Sequence, residues 1–397
     1  MKKDPEMDYR KRIVDYVDSL TGEILATSRY IHENPEIGEK EYKASAHLVE
    51  ILESRGFSVT RTVGGMETAF KAGCKGCGKG PRIAFLAEYD ALGSLGHACG
   101  HNFIAAASTF AGIALSPVMG ELEGEIMVVG TPAEENLGGK VILLEQGVFE
   151  DVDAALMVHP SNETRIVART LAAQAWEFEF RGKPAHAAAM PWKGRNALDA
   201  LIQMFLSVDQ MRKQQSPSVR TPGIITCGGE KPNIVPERSV GQFSCRGGSC
   251  EELLDVIERV HRCAEGAATA TGTTVQSRAI QKMYKDIVPN HTMAGLFEKN
   301  WRDLGGDIDE TPDKGKGSLD IGNLSHEFPC IHPFVQIAPP HVANHTSEFA
   351  EFAIGATAEK QIVRSVKALA LTALDILLEA RILDDMKREF QSQKEGI

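Results

Sequence analysis

The sequence predicts an α/β protein with a mainly parallel central sheet, interrupted by a second, inserted α+β unit. Three observations carry that prediction. Apolar strands alternate with helical segments through the first part of the chain, which is the pattern of a parallel sheet covered on both faces. From about residue 170 the pattern changes to strict alternation, and after about residue 282 the first character returns. With 397 residues the chain is too long for one ordinary core. Residues 1–169 and 282–397 are therefore expected to build one domain and 170–281 the inserted one. No internal repeat is evident.

Taken in order, residues 8–55 read as two helices. Ile13, Val14, Val17, Leu20, Ile24 and Leu25 recur at helical spacing, as do Ala44, His47, Leu48, Ile51 and Leu52. Pro35 stops the first, Gly56 ends the second, and a short strand over 57–60 follows. Cys74 and Cys77 form a Cys-x-x-Cys in a stretch rich in Gly and Lys. A metal clip needs a second pair, so a surface loop with two thiols is expected. Apolar strands are expected over 82–87, 124–130 and 153–158, ending at Glu88-Tyr89-Asp90, at Glu134-Glu135 and at His159. Helices over 101–118 and 138–148 separate them. Polar side chains at such strand ends are where ligands sit in open α/β sheets, so Asp90, Glu134, Glu135 and His159 are expected on one rim.

In the inserted part, Trp176, Phe178 and Phe180 alternate with Glu177 and Glu179, which suits an antiparallel strand with one wet face. A helix over 196–211, strands over 223–228 and 239–246, a helix over 251–271 and a last strand give strand–helix–strand–strand–helix–strand, a ferredoxin-like order. The remainder reads as a helix near 290–304, a Gly- and Asp-rich loop over 305–322, a strand near 331–337 and a final helix from about 349.

Composition narrows the partners. A net charge of −11, with no concentrated block of Lys or Arg, argues against nucleic acid or an anionic membrane surface. The N-terminus lacks the apolar core of a signal peptide, and no uninterrupted apolar run approaches the ~18 residues that span a bilayer. Eight cysteines without a regular framework suit a reducing compartment, so a cytoplasmic protein is expected.

The chemistry concentrates in His97-Ala98-Cys99-Gly100-His101, two imidazoles and a thiol within five residues. Thiolate sulfur and imidazole nitrogen bind zinc and its neighbours, so this spacing can put two or three ligands on one ion. A structural cysteine beside two incidental histidines is the alternative. Ala87-Glu88-Tyr89-Asp90-Ala91-Leu92, Gly96 to Asn102, Thr131-Pro132-Ala133-Glu134-Glu135, Val158-His159-Pro160 and Asn344-His345-Thr346-Ser347-Glu348-Phe349 follow in that order. With these motifs the chain resembles, over essentially its whole length, the co-catalytic metallopeptidase and amidohydrolase family of aminoacylases, auxin-conjugate hydrolases and p-aminobenzoyl-glutamate hydrolase. Residues 183–188, 231–236 and 317–323 look most like its branch of dipeptidases that release basic amino acids.

The resemblance implies a zinc-peptidase-like catalytic domain holding two divalent metal ions per subunit, Zn or Mn. Cys99 would bridge them, with His101 and His159 on one ion and Glu135 and His345 on the other. Asp90 would hold a ligand in place, and Glu134 would act as general base and then general acid. His97 could instead only hydrogen-bond within its turn. The inserted unit would be a lid and dimerisation domain, making a homodimer in which His186 reaches the scissile carbonyl of the partner's site. Asn233 and Arg246 would hold the substrate carbonyl and carboxylate, though either could be an ordinary turn or surface residue. The loop 315–320, with Ser318 and Asp320, would line the substrate pocket, and Asp320 could select a basic leaving residue or simply cap a helix.

The function so implied is hydrolysis of the amide bond of a short peptide or N-acyl amino acid, releasing a C-terminal amino acid. N-acyl-amino-acid deacylation and p-aminobenzoyl-glutamate cleavage are the neighbouring alternatives. A metal-binding regulatory protein without turnover, or a purely structural metal, is the alternative of another class.

Overall fold

The computed structural model describes residues 5–311 and 317–395. The chain divides into two compact units: Met1–Arg169 with Ile287–Lys314 and Asn323–Ile397, and Thr170–Asp286 with Gly315–Gly322. The return to the first unit therefore lies a few residues beyond 281, and one short later segment clusters with the second unit.

In the first unit a six-stranded sheet runs in the order Ser58–Arg61, Phe70–Lys75, Glu123–Gly130, Gly78–Ala87, Ala154–Leu156, Cys330–Ile331. The last four pair in parallel and the first two add an antiparallel edge. The parallel strands are apolar on both faces (Ile83 to Ala87 and Ile126 to Val129 are buried) because helices cover both. The strand expected over 153–158 is broken. Ala154–Leu156 stays in the main sheet, while His159–Ser161 pairs in parallel with Phe334–Gln336 as a separate ribbon. On the neighbouring chain the gap holds Pro333, which cannot donate to a ladder.

Two differences from the sequence expectations have local causes. The first of the two expected helices is divided at Leu20 into Pro5–Ser19 and Thr21–Glu33. There the Ser19 hydroxyl bonds back to Tyr16 O at 2.6 Å, and Gly22 follows. Cys74 lies in the strand Phe70–Lys75 rather than in a loop, half-buried, which raises its thiol pKa; only Cys77 is exposed. Helix His101–Met119, although not an uninterrupted apolar run, is long and apolar enough on average to cross a bilayer, and 89% of it is buried within the fold. It is the core helix on which the sheet and the helix Ala356–Leu378 pack.

The second unit is an antiparallel sheet ordered Thr274–Ala279, Ala172–Arg181, Arg238–Gly247, Gly223–Cys227. With helices Ala197–Met211 and Cys250–Thr271 this is the ferredoxin-like order. Phe178 and Phe180 are buried against both helices, while Glu177 and Glu179 face out and pair with Arg278 and Arg238. Asn196 caps the first helix by accepting from Leu198 N at 2.9 Å, and Ser249 caps the second by accepting from Glu252 N at 3.2 Å.

Candidate metal centre and active site

The parallel strands of the first unit end in a row of polar residues. The strand Gly78–Ala87 runs into Glu88-Tyr89-Asp90, and the strand Glu123–Gly130 into Thr131 to Glu135. The helix that begins at His101 follows the tight turn at Gly100, whose φ is +77°. A Cβ there would come within 2.5 Å of Pro160, so only glycine lets this turn approach the strand end that carries His159.

Two further backbone positions are bent to serve the site. Ala133 (φ +60°) and His345 (φ +65°) occupy the left-handed region, uncommon for residues with a Cβ. At Ala133 the bend ends the extended run and sends Glu134 and Glu135 to the same side. Their carboxylates and His101 have donor atoms within 4.8 Å of one another. At His345 it is held by a bond from His345 N to Ala98 O at 2.9 Å, which ties the last ligand candidate to the first.

Donor atoms converge in two groups sharing one sulfur: Cys99 with His101 and His159, and Cys99 with Glu135 and His345. Cys99 Sγ is 3.4 Å from His159 Nε2, and His345 Nε2 is 3.4 Å from Glu135 Oε1. His101 Nε2 is 3.9 Å from Glu135 Oε1. Ligands about 2.1 Å from one tetrahedral ion lie roughly 3.4 Å apart, so the Cys99–His159 and His345–Glu135 pairs are each spaced to share a metal. His101 Nε2 and Glu135 Oε1 are buried without a hydrogen-bond partner, as expected of atoms that a cation would satisfy. The residues present fit a divalent metal.

Tautomers agree. Asp90 Oδ1 sits 2.9 Å from His101 Nδ1, and the His159 Nδ1 is 2.7 Å from the Pro160 carbonyl. Each partner is an acceptor, so each ring carries its proton on Nδ1 and turns the Nε2 lone pair to the centre. Asp90 Oδ2 also accepts from Glu135 N at 3.0 Å, so one buried carboxylate positions two ligand candidates. Burial would raise the Cys99 thiol pKa, but His159 and His101 outweigh it and bring it down to about 5. A thiolate is the form a metal takes. Contacts to Cys99 and Glu135 push His345 up to about 10.

His97 is buried 6.1 Å (ring centroids) from His32 and belongs to neither group of donors. The remaining candidates lie in the second unit. His186 is exposed, and its Nδ1 accepts from Ala188 N and Ala189 N at 3.3 and 3.2 Å, which leaves Nε2 as the donor of the neutral ring. Ala187 N donates to Asn233 O at 3.0 Å, so the segments carrying His186 and Asn233 run side by side. Arg246 Nη1 donates to Ser318 Oγ at 3.1 Å, and Asp320 is buried just before the short helix Ile321–Ser325. Gly315 and Lys316 lie outside the described residues.

Sequence reasoning passed over three buried groups beside the centre. Glu88 Oε2 is 3.4 Å from His101 Nε2, and the other oxygen of Glu88 is ion-paired with the fully buried Lys140. His332 is buried 5.3 Å (ring centroids) from His159. Glu88 had a signal, since it follows the same apolar strand as Asp90, which was already singled out.

Residues 172–271 match the model of a peptidase dimerisation domain. The chain is 36% identical over 397 residues to the mouse Xaa-Arg dipeptidase, covering 96% of this chain and 92% of that protein. It is 29% identical over 440 residues to one of the two subunits of the p-aminobenzoyl-glutamate hydrolase of Escherichia coli K12, covering 91% and 90%. Among solved structures it superposes on a putative aminohydrolase from methicillin-resistant Staphylococcus aureus with TM-score 0.79 at 19% identity, covering 93% and 100%. It also superposes on a dinuclear metal-binding peptidase from Bacillus subtilis with TM-score 0.68 at 19% identity, covering 90% and 99%.

Proposed function

Because the chain belongs to the metallopeptidase and amidohydrolase family that includes the Xaa-Arg dipeptidases and p-aminobenzoyl-glutamate hydrolase, we propose that it is a two-metal dipeptidase releasing a basic C-terminal amino acid. It is a metal-dependent hydrolase of peptide or amide bonds. The observation that carries the finer reading is the sharing of Cys99 by two groups of donors, with Glu134 beside them. Such a shared donor suits two ions: His101 and His159 would hold one, Glu135 and His345 the other, and Cys99 would contribute to both. Zinc suits the thiolate and manganese the carboxylate and imidazoles.

When bound, such a pair of ions polarises an amide carbonyl and acidifies a water molecule. The side chains do the rest. Glu134 takes the proton of the attacking water and delivers it to the leaving nitrogen, the dual role of a carboxylate that is near the ions but not committed to them. Asp90 keeps His101 and Glu135 in register. His186, with its proton on Nε2, supplies a hydrogen bond to the developing oxyanion, and Asn233 holds the carbonyl. Arg246, steadied by Ser318, takes the substrate carboxylate through its fork. Asp320 favours a cationic side chain on the released residue.

The dimerisation-domain match and the exposed Ile202, Leu206, Ile224 and Ile225 of the second unit support a homodimer formed there. Strand Gly223–Cys227 ends its sheet with one edge unpaired among the described residues, a surface suited to a second copy. All eight cysteines are unpaired thiols, which supports the cytoplasm as its compartment.

The test is hydrolysis by metal-stripped protein reloaded with Zn, Mn or Co in turn. Dipeptides ending in Arg or Lys are compared with those ending in Glu or Leu, with N-acetyl amino acids and with p-aminobenzoyl-glutamate. Faster release of Arg and Lys is expected, and equal rates across the panel would reject the basic preference. Glu134→Gln should keep its metal and lose ~10²–10⁴-fold in kcat. A Glu134→Gln protein at the native rate would remove that residue from the mechanism, and an inactive native protein at full metal load would favour a binding role.

A further inference from the structure

We propose that Glu41 is a positioning residue of the active site, whose carboxylate anchors the left-handed turn at Ala133 and thereby sets both the metal ligand Glu135 and the general base Glu134. The proposal rests on the assignment of those two glutamates given above. Glu41 immediately precedes the helix Tyr42–Ser54 and its residue is fully buried. Its Oε1 accepts from Ala133 N at 2.8 Å, and its Oε2 accepts from Thr68 Oγ1 at 2.9 Å. Thr68 is fixed in turn, because its carbonyl accepts from the buried Tyr89 hydroxyl at 2.6 Å.

Ala133 is where the chain needs holding. A residue with a Cβ at φ +60° costs of order 1–3 kcal/mol and persists only where its surroundings impose it. The carbonyl side of the turn is closed by Leu137 N, Gly138 N and Gly139 N, at 3.2, 3.0 and 3.3 Å from Ala133 O. On the amide side the buried acceptor is Glu41. Without it Ala133 N would lose its partner in the interior, a loss that favours relaxation to an ordinary φ. Such relaxation swings the next two residues, which are Glu134 and Glu135.

The loop leading to Glu41 grips the same rim at other points. Ala91 N donates to Glu36 O at 2.7 Å, and Ile37 bridges Ala91 beside Asp90. A Cβ on Gly38 would fall 2.3 Å from Asn136 Oδ1, so this loop lies directly against the residue after Glu135. One segment, 36–41, thus fixes the strand end carrying Asp90 and the turn carrying both glutamates.

A double-mutant cycle on the full chain tests this, because glycine adopts φ > 0 without strain. The proteins are the native one, Glu41→Ala, Ala133→Gly, Glu41→Ala with Ala133→Gly, and the shape-conserving Glu41→Gln, each loaded with Zn. Metal retained against a chelator is read together with kcat, KM and the thermal midpoint. Glu41→Ala should release metal about tenfold faster and lose ~10²-fold in kcat with KM little changed, as a ligand displaced by about 1 Å would. Ala133→Gly in that background should recover at least about tenfold of the kcat and most of the metal retention, even if the thermal midpoint stays low. Glu41→Gln, which keeps an acceptor for Ala133 N, should stay within about tenfold of native. Native metal retention and kcat in Glu41→Ala would overturn the proposal, as would a double variant no better than Glu41→Ala. Metal retention is read without substrate, so a failure of the assigned reaction leaves this outcome separately visible.

Discussion

Replacing Asp90 by Asn is the sharpest probe of how the centre is held. Asp90 is fully buried, with one oxygen 2.9 Å from His101 Nδ1 and the other 3.0 Å from Glu135 N. Both partners donate, so two acceptors are required. Asn has the same shape but one acceptor and one amino group. With its oxygen toward His101, its amino group faces the Glu135 N–H and that bond becomes a donor–donor contact. Flipped, its amino group faces Nδ1, drives the imidazole proton to Nε2 and blocks the lone pair that would reach metal. Either rotamer forfeits one charge-assisted bond, and changes of this kind lower metal affinity ~10–100-fold, about 1.4–2.7 kcal/mol. The assay is competition for Zn between the protein and a chromophoric chelator at pH 7.5, native against Asp90→Asn, with circular dichroism as the control for folding. Affinities within about twofold of each other would refute the reasoning, since the carboxylate would then be dispensable for both ligands.

Three further outcomes follow from the same geometry. Gly139→Ala places a Cβ 1.7 Å from Pro132 O, backbone against backbone; the turn carrying Glu134 must move, and kcat should fall with a lowered thermal midpoint. Arg246→Lys replaces a bidentate fork by a point charge, so KM for a dipeptide should rise about tenfold with kcat nearly unchanged, as initial-rate kinetics would show. Burial, with the charge of Asp90 adding, pushes the Glu41 carboxyl from 4.5 up to about 7. The folded chain therefore favours its protonated form: that contribution to stability is full below about pH 4.5 and is lost as pH rises to about 7. Urea midpoints of metal-stripped protein should fall over that window by the equivalent of on the order of 3 kcal/mol, and Glu41→Gln should flatten the slope.

Strand ends were the legible part of the candidate site. A short run such as Ile83 to Ala87 between turn residues reads as a buried strand, and the polar residues that follow it come to the sheet's edge, so Asp90 and Glu135 announced themselves. The alternation of Trp176, Phe178 and Phe180 with two glutamates was equally plain, because packing and ion pairing act on opposite faces of one strand. What stayed hidden depends on partners distant in the chain. Phe70–Lys75 belongs to the sheet's antiparallel edge, and its Lys and Gly residues gave no apolar run. The break between Leu156 and His159 needs Pro333, more than 170 residues away, beside it. Glu41 looks like any charged residue at a helix start, and only the bond to Ala133, 92 positions downstream, gives it a part.

The placement of His345 bears on how the enzyme comes to life during synthesis. Cys99, Glu135 and His159 emerge from the ribosome early, and the whole second unit is made before the chain returns with its last ligand candidate. A nascent chain halted anywhere in between holds a thiol and imidazoles but not the residue whose amide locks onto Ala98. A centre that draws on His345 is thus complete only after the whole second unit has been made.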